Sequence, residues 1–172
     1  MEQLGKDFKE NSIFRIRESM RMLQICRDIS TPEMFWFSPN LASNSIGNLL
    51  LHLCGNMRQY VISGLGGAPD ARQREEEFRK DLSREPDVVW GLFLNTVNEV
   101  LSVIENADTN QLSSKKWVQG FHLSGLGMVL HAVEHLSYHT GQIAWILKAH
   151  QNCDLGFYTG MDLNIKNQTD GC

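Results

Sequence analysis

Apolar side chains recur with the spacing of an α-helix in four long segments of this 172-residue chain. In the first segment, one broad stripe contains Phe8, Ile13, Ile16, Met20 and Leu23, as in a helix that buries one face. The same pattern predicts helices over Lys6–Asp28, Ser45–Ser63, Asp87–Ile104 and Leu126–Ala149. Four such helices bury their apolar stripes by packing on one another. Residues 1–172 are therefore predicted to form a single all-α domain, a four-helix bundle.

The segments between these helices are predicted to be short turns and loops. Pro32 is typical of the first turn of a short helix, and Asn44 or Ser45 is expected to cap the second long helix. The charged run Ala68–Arg84 is interpreted as a solvated loop with a short helix, and Asn106–Gly125 as a loop. No alternation of apolar and polar residues indicates a β-strand.

The composition argues against several classes of function. Lys+Arg 16 and Asp+Glu 20 give a formal net charge of −4, without the basic stripe of a nucleic-acid-binding protein. No apolar run approaches the roughly 20 residues that span a bilayer, and the polar N-terminus does not resemble a signal peptide. We therefore expect a cytoplasmic protein with no nucleic-acid or membrane partner. The cysteines are scattered and are expected to be reduced thiols: Cys26, Cys54, Cys153 and Cys172.

Three histidines lie four residues apart in the last predicted helix: His131, His135 and His139. Two neutral imidazoles one helical turn apart can bind one divalent transition metal. Helical projection places His135 and His139 near the edge of the apolar face and His131 farther out, toward solvent. A rise of about 1.5 Å per residue separates His131 from His139 by about 12 Å. One ion cannot bind all three, and His135 and His139 are the expected pair.

His52, in the second predicted helix, is the candidate for a third ligand. It belongs to a polar stripe with Asn48 and Asn56 on an otherwise apolar helix. The stripe either faces bulk water or lines a water-filled cleft between helices, and periodicity does not decide between the two. Three protein ligands would leave other coordination positions open for chemistry.

Other catalytic patterns are less favoured. The run from His131 through Glu134 to His135 has the His-x-x-Glu-His form of inverted zinc proteases. No glutamate follows Glu134 to supply the further ligand of such a site. A di-iron site needs a glutamate three residues before a histidine, and none of these histidines has one. Cys54 lies two residues from His52, on a different side of the helix, and is expected to be a small buried hydrophobe rather than a nucleophile.

Two motifs resemble the DinB/YfiT-like superfamily of metal-dependent enzymes over about residues 10–150. The last helix carries His135-x-x-x-His139-x-Gly141-Gln142, which is similar to the superfamily's signature. The segment Asn44–Met57 is similar to its second helix, in which a histidine supplies the first ligand. A further set of residues is similar to one uncharacterised subgroup: Arg72, Gln73, Arg74, Glu77 and Phe78.

The resemblance implies a fold, a metal centre and a chemistry. The fold is a four-helix bundle of up-down-down-up topology, with a divalent metal held by three histidines near one end of its groove. In this sequence those ligands are His52, His135 and His139. Members with known chemistry use low-molecular-weight thiols such as bacillithiol or mycothiol, in S-transfer or isomerisation. The superfamily's name comes from induction by DNA damage, which implies regulation rather than DNA binding.

The function expected from the sequence is that of a metal-dependent thiol S-transferase. Its cofactor would be one divalent ion (nickel, zinc or iron), and its partners a small-molecule substrate and a low-molecular-weight thiol. Three neutral imidazoles leave the ion its positive charge, which lowers the pKa of a bound thiol. The alternatives are a metal-dependent hydrolase and a non-catalytic metal-binding stress protein. Gln142 is interpreted either as orienting a ligand or bound water, or as an ordinary packing contact.

Two further expectations concern partners. Arg58, Arg72 and Arg74 are candidate contacts for an anionic thiol, although solvated surface charge is the favoured interpretation of each. A homodimer is expected from the resemblance. The apolar run 34–37 offers a surface for it, or else caps the core.

Overall fold

The computed structural model describes residues 2–79 and 84–167 and confirms the expected all-α bundle, to which a small two-stranded sheet is added. The helices are α1 Glu2–Asp28, α2 Pro32–Trp36, α3 Ile46–Met57, α4 Pro86–Asn106, α5 Thr109–Ser113 and α6 Gly125–Gln151. The strands are β1 Lys115–Val118 and β2 Phe121–Ser124. Two other helical pieces are a π-helical segment that continues α3, Arg58–Leu65, and a 3₁₀ helix in the connection to α4, Arg74–Phe78. The second predicted helix therefore consists of α3 and most of the π-helical segment.

Side-chain caps fix where the helices begin. The Ser45 hydroxyl accepts a hydrogen bond from the Asn48 backbone N–H at 3.1 Å, so Ser45 rather than Asn44 caps α3. Ser124 caps α6 in the same way through the Gly127 N–H at 3.2 Å. These bonds satisfy backbone donors that have no partner inside the helix.

The second and third long helices, α3 and α4, run parallel. Arg58, directly after α3, forms a 3.1 Å ion pair with Glu99 in α4. Eight residues farther on, a Cβ on Gly66 would lie 3.1 Å from a Val103 methyl group. The segment from α3 through the π-helical segment and helix α4 therefore advance in the same direction. Parallel neighbours need a long connection, here residues 67–85, because the chain must return along the bundle before α4 starts.

The first and last long helices, α1 and α6, run antiparallel to α3 and α4. Lys9 near the start of α1 donates to the Glu105 carbonyl oxygen near the end of α4 at 2.9 Å. At the other end of the bundle, the Gln151 side chain donates to the Ile29 carbonyl oxygen at 2.9 Å, which joins the ends of α6 and α1. These contacts give the up-down-down-up topology expected from the resemblance.

The short helix α2 closes one end of the core. Met34 and Phe35 are buried, and the rings of Phe35 and Trp36 occupy the space that a Cβ on Gly47 would need. A glycine at position 47 thus lets α2 pack directly on the first turn of α3. Within the apolar run 34–37, only Phe37 is exposed. This run mainly caps the core.

A β-hairpin replaces part of the predicted loop 106–125. Val118 pairs with Phe121, so only Gln119 and Gly120 form the turn, with φ of 51° and 83°. Positive φ at both positions is the type I′ geometry that matches the twist of a hairpin. The expectation of no strand is wrong here, because both strands are only four residues long and mostly exposed on both faces.

Helix α4 is the single helix among the described residues that is long and apolar enough to cross a membrane, by length and composition alone. Its buried residues recur at helical spacing and belong to the bundle core: Val89, Phe93, Val97, Val100 and Ile104. The core helix of a globular bundle meets the same criterion, and the buried side of α4 packs against α1 and α3.

Candidate metal centre

Three imidazole rings meet between α3 and α6. His52 lies on α3, and His135 and His139 lie on consecutive turns of α6. The Nε2 atom of His135 lies 2.8 Å from Nε2 of His52 and 3.1 Å from Nε2 of His139. One ligand atom from each ring lies within 4.8 Å of the others. The structure thus brings together the three residues predicted as ligands, in a group that could hold a metal ion.

These separations suit one divalent ion. Imidazole nitrogen binds such ions at about 2.0–2.1 Å, so neighbouring nitrogens lie about 2.8–3.4 Å apart, with the lower values on an octahedral ion and the higher values on a tetrahedral one. The observed separations of 2.8 Å and 3.1 Å are close to that range. The donor set, three imidazole nitrogens, is one that transition metals favour.

Hydrogen bonds behind two of the rings orient their lone pairs. His52 Nδ1 donates to Glu77 Oε2 at 2.8 Å, and His139 Nδ1 donates to Gln142 Oε1 at 2.6 Å. Carboxylate and amide oxygens only accept, so the proton lies on Nδ1 and Nε2 keeps its lone pair. Contacts of this kind orient metal-binding histidines and raise their affinity. Gln142 therefore orients the ring of His139, a predicted metal ligand, and this agrees with the first of the two interpretations given for Gln142.

Glu77 is itself held by Arg72. Arg72 donates from Nε to Oε1 at 2.7 Å and from Nη2 to Oε2 at 2.9 Å, in a bidentate pair. The two side chains are only 4% and 8% exposed. Gln59 accepts a further bond from Arg72 Nη1 at 2.9 Å. A short helix does occur in the charged run, but its interpretation as solvated is wrong at Arg72 and Glu77, because both are buried against α3.

The chain at residues 77–79 lies along the polar stripe of α3. The Asn48 amide donates to the carbonyl oxygens of Glu77 at 3.0 Å and Arg79 at 3.1 Å. A Cβ on Gly55 would collide with the Glu77 carboxylate, so only glycine at that position lets the carboxylate reach His52. All three residues of the polar stripe are buried, and the interpretation that the stripe faces water is therefore wrong.

Sequence reasoning missed Glu77 as a residue of the site. Three consecutive glutamates occupy positions 75–77, and nothing in their spacing distinguishes the third. The available signal was Phe78, an isolated aromatic residue in a charged run, whose ring lies 4.9 Å from the His52 ring. An apolar side chain in such a run indicates that the loop folds back on the protein.

His131 lies outside the three-histidine cluster but does not point into solvent. Its ring stacks on Tyr60 at 3.9 Å between centroids, and the Asn56 amide nitrogen lies 3.0 Å from its Nε2. Its ring also stacks on that of His135 at 5.4 Å. The predicted outward orientation is wrong, because α3 and the π-helical segment cover this part of α6. Glu134 is exposed and belongs to no metal-binding group of the described residues, so the inverted zinc protease motif does not form such a site.

Burial lowers the pKa of two of the cluster histidines, His135 and His139. Burial, together with the neighbouring His139 and His52, lowers the pKa of His135 to about 3. Burial also lowers the pKa of His139, although the hydrogen bond to Gln142 acts in the opposite direction. For Glu77, burial acts to raise the pKa, but the hydrogen bonds from Arg72 and His52 outweigh it and the pKa is lowered. Neutral imidazoles are the form that binds metal.

The cysteines that the structure describes play no part in this site. Burial raises the pKa of Cys26 and of Cys54 to about 12, so both remain protonated thiols. Cys54 is a small buried hydrophobe, as expected. The three cysteines in the described residues are free, and Cys172 lies outside them.

Comparison with known proteins places the fold. Residues 3–159 match the family described as Protein of unknown function (DUF1572). No curated protein matches this chain. The crystal structure of a DinB-like protein from Bacillus subtilis has a TM-score of 0.63 at 14% identity, over 84% of this chain and 94% of that one. A DinB family member from Shewanella denitrificans has a TM-score of 0.48 at 15% identity, over 95% and 93% of the two chains.

The likeness to the Bacillus protein confirms the DinB-like bundle that the motifs implied. At this identity it shows the fold alone, since unrelated functions share one fold. The family model spans most of the chain. The protein therefore belongs to the DUF1572 family of proteins of unknown function and has the DinB-like fold.

Proposed function

We propose that this protein is a metal-dependent enzyme whose one divalent ion is bound by His52, His135 and His139. One observation carries the proposal: His135 Nε2 lies 2.8 Å from His52 Nε2 and 3.1 Å from His139 Nε2. The Nδ1 atoms of His52 and His139 donate to Glu77 and Gln142, so both Nε2 lone pairs are available to an ion. Nickel, zinc and iron all suit imidazole nitrogens. The enzyme acts on a small molecule in the cytoplasm.

The chain's own residues prepare the site electrostatically. An ion bound there supplies Lewis acidity, which lowers the pKa of a coordinated thiol or water. The three ligands are neutral, so none of them offsets the charge of the ion. The charges of Glu77 and Arg72 cancel each other next to His52, at 2.7 Å between Arg72 Nε and Glu77 Oε1. Gln142 holds the His139 ring without adding charge.

The leading reaction is transfer of a low-molecular-weight thiol, such as bacillithiol or mycothiol, to an electrophilic carbon of the substrate. The thiol sulfur forms a C–S bond, the bond from that carbon to the leaving group breaks, and the leaving group departs with the electron pair. The thiol proton passes to solvent. The reaction needs no protein cysteine, which agrees with the burial of Cys26 and Cys54.

Metal-dependent hydrolysis is the second candidate, and the pairing of the arginines favours it. Arg72 Nη2 lies 3.3 Å from His52 Nδ1, but Arg72 already donates to both oxygens of Glu77. Arg58 is paired with Glu99. These two cations are therefore already engaged by carboxylates, whereas the third candidate, Arg74, lies over the Phe78 ring at 5.0 Å. Hydrolysis needs no contact with an anionic thiol. In that reaction water supplies the oxygen of the new bond, and the leaving group departs with its electron pair and takes up a proton.

Metal analysis and turnover test the proposal together. The purified protein is treated with a chelator, reloaded with nickel, zinc or iron(II), and analysed by inductively coupled plasma mass spectrometry. Each form is assayed with 1-chloro-2,4-dinitrobenzene plus bacillithiol or mycothiol, and with p-nitrophenyl acetate without thiol. Turnover that requires the thiol supports transfer, and turnover without it supports hydrolysis. One bound ion without turnover supports a non-catalytic metal-binding stress protein. Failure to bind any of the three ions refutes the proposal.

A further inference from the structure

A cleft of about 430 Å³ lies beside the three-histidine cluster, between α6 and the loop that precedes α3. Tyr138, Gln142 and Trp145 line it from α6, and residues between 39 and 44 line it from the loop. Pockets that bind small molecules commonly measure about 300–1,000 Å³. The cleft therefore has the size of a small-molecule site.

The lining of this cleft is uncharged and includes two aromatic side chains, Tyr138 and Trp145. None of the lining residues that the structure describes carries a formal charge. Tyr138 and Trp145 leave 62% and 65% of their surface exposed, one on each side of Gln142. Aromatic rings that remain open to water in a concave surface offer flat apolar faces to a ligand. A charged ligand would find no counter-charge here and would lose hydration without compensation.

Polar groups in the cleft supplement the aromatic faces. The Tyr138 hydroxyl accepts a hydrogen bond from Gln142 Nε2 at 3.2 Å, which leaves its own proton available for a ligand. Two further polar residues, Ser43 and Asn44, also line the cleft. A neutral ligand with one or two polar atoms would match this arrangement.

Gln142 connects the cleft to the histidine cluster. Its Oε1 accepts the 2.6 Å hydrogen bond from His139 Nδ1, while the same side chain lines the cleft. The Tyr138 ring lies 5.0 Å from the His139 ring. A molecule in the cleft would therefore touch the two side chains that pack directly behind His139.

We propose that this cleft binds an uncharged small molecule with a planar aromatic group, and that Gln142 links its occupancy to His139. If the bound molecule is the substrate of the enzyme, that role rests on the proposed function. The ligand site itself rests on the cleft alone.

Three probes of one shape and different charge test the choice of ligand. Benzamide, benzoate and benzamidinium share a phenyl ring and are neutral, anionic and cationic. Their binding to the full chain is measured by ligand-observed NMR after chelation, because benzoate itself can bind a metal ion. Benzamide should bind about tenfold more tightly than either ion, since neither charge has a partner in the cleft. Equal affinities for the three probes would overturn the proposal.

Two variants alter the cleft in opposite ways. Trp145→Ala removes an aromatic wall and should weaken benzamide binding about tenfold. Gly141→Leu should block the cleft, and the helix accommodates it because a Cβ at Gly141 meets no atom within 4 Å. Trp117→Ala is the matched control, since Trp117 is 73% exposed on β1 and outside the cleft. Circular dichroism verifies the fold of each variant. Equal loss in the control and in Trp145→Ala would overturn the proposal.

The link to His139 has its own readout. Saturating benzamide should shift the ¹⁵N resonances of the His139 ring in the natural protein but not in Gln142→Ala, and an equal shift in both would refute the link. Zinc uptake is measured on the same samples. Zinc binding without benzamide binding would overturn this inference and leave the proposed function intact. Benzamide binding by a protein that takes up neither zinc nor nickel nor iron(II) would overturn the proposed function and support the ligand site.

Discussion

Replacing Glu77 with glutamine should destabilise the fold, because it breaks a buried ion pair while keeping the size of the side chain. The side chains of Arg72 and Glu77 are 4% and 8% exposed, so the substitution leaves the Arg72 charge buried without its partner. Removing one member of such a pair costs about 3–5 kcal/mol. Gln59 still accepts one hydrogen bond from Arg72, so we expect a loss near the lower end, about 3 kcal/mol.

The same substitution should also weaken metal binding. The carboxylate accepts the 2.8 Å hydrogen bond from His52 Nδ1 and makes that ring a better ligand. Loss of such a partner typically lowers metal affinity by about 10- to 100-fold. The new amide still offers an oxygen to His52, so the expected loss is about tenfold, equivalent to about 1.4 kcal/mol.

Two measurements and two controls separate these effects. Urea unfolding of the chelated protein gives the free energy of unfolding, and competition with a chromophoric chelator gives the metal affinity. Glu76→Gln is the matched control, because Glu76 forms only an exposed pair with Arg79 and should change stability by less than about 1 kcal/mol. Adding Arg72→Met to Glu77→Gln removes the unpaired charge. That double variant should recover stability but not metal affinity.

Either of two results would refute this reasoning. If Glu77→Gln and Glu76→Gln unfold with the same free energy, the pair with Arg72 does not stabilise the fold. If Glu77→Gln binds metal as tightly as the natural protein, Glu77 does not orient His52.

Four further outcomes are expected. Alanine at any of the three cluster histidines should abolish stoichiometric metal binding after reloading, whereas His131→Ala should retain it, as measured by mass spectrometry of the metal. Gly55→Ala should displace the Glu77 carboxylate and lower metal affinity about tenfold in the chelator competition. Iodoacetamide at neutral pH should modify Cys153 and spare Cys54, since burial raises the pKa of the Cys54 thiol to about 12. Light scattering at micromolar concentration should give the mass of a homodimer.

Each of these outcomes has a control or a contrary result. Equal metal loss in His131→Ala and His139→Ala would refute the ligand assignment. Gly91→Ala is the control for the glycine variant, because a Cβ at Gly91 meets no atom within 4 Å. Rapid alkylation of Cys54 in the folded protein would contradict its burial. A monomeric mass would count against the dimer.

The sequence alone determined the four long helices of this protein, because helix formation depends on neighbours within one or two turns, whereas the five-residue helix α5 lies in a segment predicted as a loop. Apolar periodicity predicted the four long helices, and Ser45, one of the two predicted caps, lies directly before the first residue of α3. The spacing of His135 and His139 placed two rings on one side of α6 for the same reason. The hairpin was missed because its four-residue strands are stabilised by pairing with each other rather than by a local pattern.

Only the tertiary structure decided how the histidine cluster is completed and supported. Periodicity left His52 facing either water or a cleft, and packing of α3 against α6 brought its ring next to His135, 83 residues away in sequence. Glu77 reaches His52 from 25 residues away because Asn48 holds its backbone and Gly55 leaves room for its carboxylate. Among three consecutive glutamates, no local preference selects one for burial. Its burial next to His52 follows from the return path of the chain between two parallel helices, which depends on the packing of the whole bundle.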